Sequence, residues 1–301
     1  MVRTIAISGH YAISVRNDQL LLKPISADLK EAEIACIDIG FLILEHPHIS
    51  ITQHAIATLA EYNVAVIFVG ADYLPVSMLF HLETHGVQAE KFSAQINSSE
   101  PLRKQLWAQT VKAKIENQAL LLKYFDLEFK DVLALSTKVK SGDIDNLEGQ
   151  AARRYWPRLF NEGFVRDRFG EPPNHLLNYG YTILRAATVR ALCGKGLYPL
   201  MGIHHKSRYN HFALADDMME PFRPFIDWEI RNMLSVHELS NDLLPIYKTR
   251  ILKLLASDVY IDGTYTNLNN ALEIMCASLA KCFENQNRKL KLPNLRFEKE
   301  F

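Results

Sequence analysis

Little in this sequence points to export, a membrane or a small stapled fold. No stretch reaches the roughly 18 to 20 consecutive apolar residues that a membrane helix needs. The N-terminus lacks the charged start, apolar run and small-residue cleavage site of a secretory leader, so a cytoplasmic location is expected. Only four cysteines occur, Cys36, Cys193, Cys276 and Cys282, with no C-x-x-C pair and no histidine at zinc-finger spacing. They read as buried thiols, not as a disulfide frame or a zinc site. Net charge is also missing, with 34 Lys and Arg balanced by 34 Asp and Glu. A chain coated all over in positive field is therefore excluded. Neither a phosphate-binding G-x-x-x-x-G-K-S/T loop nor a G-x-G-x-x-G fingerprint is present, and serine-hydrolase and cysteine-protease signatures are absent. No internal repeat or low-complexity tract interrupts the pattern.

What is present supports a substantial core. The chain has 301 residues, 48% hydrophobic and 23% charged, enough for one large domain or two smaller ones. The first seventy residues read as strands: Thr4–Ile7, Ala12–Val15, the turn pair Asn17-Asp18, Gln19–Leu22 ending at Pro24, and Ile34–Ile39. Thr52 is placed to cap a short helix running to Tyr62, and Val64–Val69 is a β-branched run closed by Gly70. Residues 86–101 turn polar. Beyond them Leu102, Leu106, Val111, Ile115 and Ala119 recur at helical spacing, as do Ile246–Leu255 and Leu268–Phe283, with Asp262-Gly263 marking a turn between the last two. The tail from Asn287 mixes Lys, Arg and Pro and is expected on the surface or partly disordered. The fold class expected is α+β multidomain: a small N-terminal β-sandwich domain at 1–81, a linker at 82–100 and a larger all-α catalytic domain at 101–301.

Three polar clusters lie inside otherwise apolar pattern. In Asp145-Asn-Leu-Glu148-Gly-Gln-Ala-Ala-Arg153-Arg154, Asp143 or Asp145 can cap a helix that carries Glu148 in its first turn, and the small residues admit a close neighbour. Glu148 is either a ligand or a complement to the helix dipole. The Gly- and Pro-punctuated run Gly196 to Asn210 carries His204 and His205 beside Lys206 and Arg208. Adjacent histidines point different ways, so at most one reaches a given centre, and the pair can equally be a packing feature. In Asp216-Asp217-Met-Met-Glu220-Pro-Phe-Arg223, three carboxylates within five residues repel one another unless a cation lies close. One glutamate, one histidine and further acids give oxygen-dominated ligation that suits Mg²⁺ or Mn²⁺ better than zinc. Residues 151–210 hold ten basic residues against three acidic ones. That surplus, with Arg223, suits phosphodiester chemistry, or solvates a surface.

The three runs Asn146–Trp156, Gly196–His205 and Ala215–Pro224 resemble, in order, the signatures of the CRISPR-associated integrase, the larger universal subunit of the spacer-acquisition complex. The resemblance spans nearly the whole chain, including Leu106–Ile115 and Asn174–Tyr181, and is most similar to the form that accompanies type II systems. It implies a metal-dependent DNA endonuclease and integrase, using Mg²⁺ or Mn²⁺, in which a spacer's 3′ hydroxyl attacks a phosphodiester at the CRISPR repeat. Carried onto matching positions, it implies Glu148, His205 and Glu220 as catalytic metal ligands, with Asp217 as a further ligand or a partner of one. His204 packs or touches DNA. Arg153, Arg154, Lys206, Arg208 and Arg223 are the candidates for DNA phosphates. Tyr155, Trp156, Tyr179, Tyr181 and Tyr209 either stack on frayed ends or fill the core. The implied partners are double-stranded DNA (spacer and repeat), a second copy of the chain through the β domain, and a small ferredoxin-like adaptation subunit. A metal-dependent repair nuclease or phosphodiesterase and a non-catalytic structural DNA-binding subunit are the alternatives.

Overall fold

The computed structural model describes residues 3–70, 75–79, 87–205, 209–234 and 242–296. The chain divides into two compact units, Met1–Gly86 and Val87–Phe301.

The first unit holds two four-stranded sheets. Strands β1 (Arg3–Ile7), β2 (Tyr11–Arg16), β3 (Gln19–Pro24), β4 (Ala32–Ala35), β5 (Ile39–Leu44) and β6 (Ser50–Ile51) precede helix α1 (Gln53–Glu61), which β7 (Ala65–Val69) and β8 (Pro75–Leu79) follow. One sheet has the order β1-β5-β7-β8 and the other β4-β3-β2-β6. Ile13, Leu20 and Leu22 of the second sheet share one apolar core with Ile7, Leu42, Leu44 and Val66 of the first and Leu59 of α1. Asn17 and Asp18 take φ of 51° and 58° between the paired residues Arg16 and Gln19, the two-residue left-handed turn that matches strand twist. Thr52 caps α1, its hydroxyl accepting from the Ala55 N–H at 3.2 Å.

The strand expected over 34–39 is two elements in two sheets. A 3-10 turn at Cys36–Asp38 separates β4 from β5, and the Cys36 N–H donates to the Asp18 carbonyl at 2.8 Å. Every residue of β5 is buried, as a strand with parallel neighbours on both sides requires.

The second unit is built from α2 (Gln88–Ile96), α3 (Glu100–Tyr124), α4 (Lys130–Ser136), α5 (Leu147–Leu159), α6 (Asn174–Gly194), α7 (Ala213–Met219), α8 (Arg223–Leu234), α9 (Pro245–Lys253) and α10 (Leu268–Phe283). Strands β9 (Asp258–Ile261), β10 (Thr264–Asn267) and β11 (Pro293–Asn294) add a small antiparallel sheet to the all-α expectation. Its hairpin turns at Asp262-Gly263, both left-handed. Of the segment 82–100 read as a linker, the part from residue 87 belongs to this unit and carries α2. Ser99, with Pro101 behind it, starts α3 by accepting from the Leu102 N–H at 3.3 Å. Helices α3 and α6 form the centre: α3 packs on α4, α5, α7 and α8, and α6 on α7 to α10.

The tail expected to lie loose is docked as far as Arg296. Leu290 and Leu295 are buried, β11 pairs with β9, and the buried Asn117 of α3 ties the segment down. Its Nδ2 donates to the carbonyls of Pro293 at 3.1 Å and Pro221 at 2.8 Å, and its Oδ1 accepts from the Leu295 N–H at 2.9 Å. All four cysteines are free thiols, three of them buried. Among the described residues no helix is long and apolar enough to cross a membrane.

Candidate active site

Glu148 is placed by the way α5 begins. Asn146, at φ 49°, caps the helix by accepting from the Gly149 N–H at 3.1 Å. Asp143 then accepts from the N–H groups of Leu147 at 2.9 Å and Glu148 at 3.1 Å, so three donors of the first turn are satisfied locally. A Cβ on Gly149 would lie 2.7 Å from Asn146 Oδ1, so the small residue there makes room for the cap and not for an outside ligand. Asp145 faces Lys140 at the surface.

His205 lies on the loop that leaves α6. Asp217, fully buried on α7, accepts from the N–H groups of His204 at 2.9 Å and His205 at 3.3 Å, and its Oδ1 lies 2.5 Å from His205 Nδ1. A carboxylate only accepts, so Nδ1 carries the proton and Nε2 keeps the free lone pair of the neutral ring. The hydrogen bond to Asp217 raises the His205 pKa against the opposing effect of burial, with Glu220 and Glu148 adding to it. Gly202 permits this packing: a Cβ there would come within 2.6 Å of the His205 carbonyl and 2.8 Å of Asp217 Oδ2. His204 lies flat on Trp107, centroids 4.2 Å apart and planes 3° from parallel, and burial lowers its pKa. Arg103, Lys104, Trp107, Ile203 and His204 contribute to the wall of a cavity of about 250 Å³ beside this stack.

Glu220 follows α7 in a 3-10 turn and is 4% exposed. Its Oε1 is 2.9 Å from Arg223 Nε, and its Oε2 is 2.5 Å from the ammonium of Lys114 on α3. The same ammonium lies 2.5 Å from Glu148 Oε1. One buried cation thus joins the two glutamates of separate motifs. Burial works against the charge of Lys114, yet Glu220 and then Glu148 outweigh it and raise its pKa. Burial likewise opposes ionisation of Glu220, and Arg223 and Lys114 reverse the sign and lower it.

The three acids expected to repel one another each have partners of their own. Asp216 pairs with Arg185 at 2.6 Å and accepts from Asn210 at 2.9 Å, Asp217 faces His205, and Glu220 faces Lys114 and Arg223. Behind Arg223, whose guanidinium lies 4.4 Å from the Tyr181 ring centre, the hydroxyls of Tyr181 and Tyr155 both donate to buried Asp227, at 2.5 and 2.7 Å.

Burial pushes the Asp227 carboxyl up from the usual 3.8 to about 6, only partly offset by the two tyrosines. A carboxyl that holds its proton more tightly when folded contributes stability below pH 4 that is lost as pH rises to 6. Two pKa units correspond to about 3 kcal/mol. Urea unfolding at pH 4 and pH 7 is expected to show that loss in the wild type and not in Asp227→Asn; equal slopes in both would refute it.

Of the cations expected on phosphates, Arg153 is exposed, whereas Arg154 donates to the Asp131 carbonyl at 3.2 Å and Arg223 is committed to Glu220. Lys206 and Arg208 lie outside the described residues. Tyr155, Tyr179 and Tyr181 are buried and Trp156 is half-buried against Phe160, which leaves Tyr209 exposed at 81%. Lys114 was not among the sequence candidates. Its signal is phase: it falls three residues after Val111 and three before Asn117, on a buried side of α3.

The donor set fits a divalent cation. Two carboxylates and an imidazole with a free Nε2 make an oxygen-rich group, and Glu220 Oε2 is buried with an ion pair but no aligned hydrogen bond. Among the described residues no three acidic, histidine or cysteine side chains are grouped closely enough to hold an ion as they stand. The Lys114 ammonium lies where Glu148 and Glu220 meet.

The family model for CRISPR associated protein Cas1 matches residues 5–245. Over 302 residues the chain is 33% identical to the CRISPR-associated endonuclease Cas1 of Neisseria meningitidis serogroup C (strain 8013), covering 99% of this chain and 98% of that protein. In fold it is similar to a casposase bound to integration product, with a TM-score of 0.81 at 21% identity over 96% of this chain and 92% of that one. A Cas6-RT-Cas1–Cas2 complex chain superposes with a TM-score of 0.73 at 21% identity, over 95% of this chain and 35% of the other.

Proposed function

Because the chain belongs to the Cas1 family, we propose that it is a metal-dependent DNA endonuclease and integrase of CRISPR adaptation. The observation that supports this most is the meeting of Glu148 and Glu220 on one buried ammonium, with His205 close enough for both acids to raise its pKa. These three residues come from three separate sequence motifs. Glu148, His205 and Glu220 are the residues that would hold Mg²⁺ or Mn²⁺. Such an ion supplies Lewis-acid stabilisation of a phosphoryl oxygen and helps orient the attacking oxygen.

The chain's own residues do the rest. Asp217 holds the His205 tautomer and ring direction through Nδ1. Arg223 and Lys114 keep Glu220 ionised in spite of its burial. Exposed Arg153, with Lys206 and Arg208 of the histidine motif and Arg103 and Lys104 by the cavity, offers positive charge to the DNA backbone.

In the reaction, a spacer 3′ oxygen forms a new bond to phosphorus at the repeat while the existing P–O3′ bond breaks, and the departing 3′ oxygen takes up the proton. One ester replaces another, so no energy source is consumed. The partners in this reading are spacer and repeat DNA, a second copy of the chain through its β unit, and the small adaptation subunit; one structure of similar fold is a Cas6-RT-Cas1–Cas2 complex.

The test is joining of a short duplex with free 3′ hydroxyls to a supercoiled repeat plasmid, with the small subunit, in Mn²⁺ or EDTA. Joining is expected in Mn²⁺ alone, falling at least about 100-fold in Glu148→Ala and His205→Ala while DNA binding persists. Unaltered joining in both variants means the centre lies elsewhere, and metal-dependent nicking without joining identifies a hydrolytic nuclease.

A further inference from the structure

Residues 195–205, which lead from α6 to His205, form no helix or strand, so their backbone groups need partners from elsewhere. Most of that support comes from two places. Asp217 of α7 holds their far end at His204 and His205. Their middle is held by α2, the helix in the stretch whose sequence looks like a linker. Gln95 of α2 is 3% exposed and reaches across the unit to Tyr198. Its Oε1 accepts from the Tyr198 N–H at 2.8 Å, and its Nε2 donates to the carbonyls of Tyr198 at 2.8 Å and Met201 at 3.3 Å.

A side-chain amide is the one neutral group that presents donor and acceptor side by side as a peptide does, so it pairs with both faces of Tyr198 at once. Phe92, one turn earlier, lies with its ring 5.4 Å from that of Tyr198. The helix is itself anchored: Lys91 pairs with Glu284, just past α10, at 3.2 Å, and Ser98 donates to the Gln95 carbonyl at 2.7 Å. The Pro199 carbonyl also accepts, from the Leu214 N–H at 2.9 Å and the Ala215 N–H at 3.4 Å.

We propose that Gln95 is a positioning residue for the candidate active site: by clamping Tyr198 and Met201 it sets where the loop delivers His205. The proposal rests on the functional reading above. Met201 is four residues from His205, with Gly202, buried Ile203 and the Trp107-stacked His204 between them. Without the clamp, three backbone groups of the loop lose their protein partner together, while the Asp217 end still holds; the ring direction survives and its place relative to Glu148 and Glu220 does not.

The experiment uses the full chain and two variants. Gln95→Leu keeps the volume and removes every hydrogen bond. Gln95→Glu keeps the acceptor for Tyr198 N–H and sets a carboxylate against the two carbonyls. Hydrogen exchange of peptides spanning 196–205, Mn²⁺ affinity by electron paramagnetic resonance without DNA, and strand-transfer kinetics are compared with the wild type.

For both variants the expected result is at least about ten-fold faster exchange in that loop, Mn²⁺ affinity and turnover lower by about 10- to 100-fold, and an unchanged KM for DNA. Exchange within two-fold of the wild type in either folded variant overturns the clamp. Faster exchange with Mn²⁺ affinity and turnover both within two-fold overturns the positioning role and leaves Gln95 a structural residue. A wild type that neither binds Mn²⁺ nor joins DNA overturns the functional reading instead, and the exchange result still decides whether Gln95 holds the loop.

Discussion

Glu220→Gln is expected to abolish strand transfer and to lower the free energy of unfolding by about 3 kcal/mol, the low end of what breaking a buried ion pair costs. The carboxylate is 4% exposed and faces two cations, Lys114 and Arg223, each also largely inside the protein. The amide of the variant keeps the shape and withdraws the charge. Lys114 retains Glu148, but Arg223 loses its ion pair and is left with the Tyr181 ring and the pull of Asp216 and Asp227. Adding Arg223→Met removes the cation left without its ion pair and is expected to recover part of the stability, since an uncompensated buried charge is worse than none. Activity is expected to stay lost in the double variant. Urea titrations and the joining assay on the wild type, Glu220→Gln and the double variant separate the two effects. Stability that drops without recovering means Glu220 matters to the fold through something other than its cations, and joining retained in Glu220→Gln removes it from the centre.

Asp217→Asn carries the second large effect. The carboxylate takes two backbone N–H groups and the Nδ1 edge of His205. An asparagine accepts through one atom and turns an NH₂ toward the others, so either the loop or the ring loses its partner. Joining is expected to fall by about 10- to 100-fold, the range found when the group that orients a metal-binding histidine is removed. The sign of the accompanying titration is set by the two opposing influences on His205. Its hydrogen bond to Asp217 raises the pKa and burial lowers it, so the variant titrates at lower pH than the wild type. The ring's C2 proton resonance, followed by NMR between pH 5 and 9, reads this directly. A midpoint that stays put shows that Asp217 does not govern the ring.

Where a local rule applied, the sequence was legible. Asn17-Asp18 and Asp262-Gly263 turn the chain because few residues tolerate left-handed backbone, Thr52 caps α1 with its own hydroxyl, and α10 covers the same span, Leu268–Phe283, as its apolar period. Where the outcome depended on distant partners, it was not. The run 34–44 is apolar on both sides of Cys36–Asp38, and nothing local shows that it changes sheets there. Residues 87–100 look polar because α2 buries little more than Gln95, whose role is hydrogen bonding. The tail from Asn287 is held by an amide 176 residues away in sequence, on α3.

The site shows the same division. The three motifs announce Glu148, His205 and Glu220 as chemistry, and the structure places the two glutamates on one cation. Lys114 escaped notice because charge on a long helix ordinarily means solvent. Arg154 and Arg223 were named as candidates for phosphate, whereas Asp131 and Glu220 pair with them; Asp131 lies 23 residues from Arg154, but Glu220 stands three residues before Arg223, a spacing the sequence did show.

Asn117 gives the order of synthesis a consequence. Its amide joins the carbonyl next to Glu220 to residues 293 and 295, on the helix that supplies Lys114. A growing chain on the ribosome holds every acid and histidine of the centre once residue 220 is made, yet α3 has an unmet buried amide until Leu295 leaves the exit tunnel. Chains that stop short of Leu295 are therefore expected to carry the reactive side chains without the closed unit that aligns them, and competence to break and join DNA is expected only once residue 295 has been made.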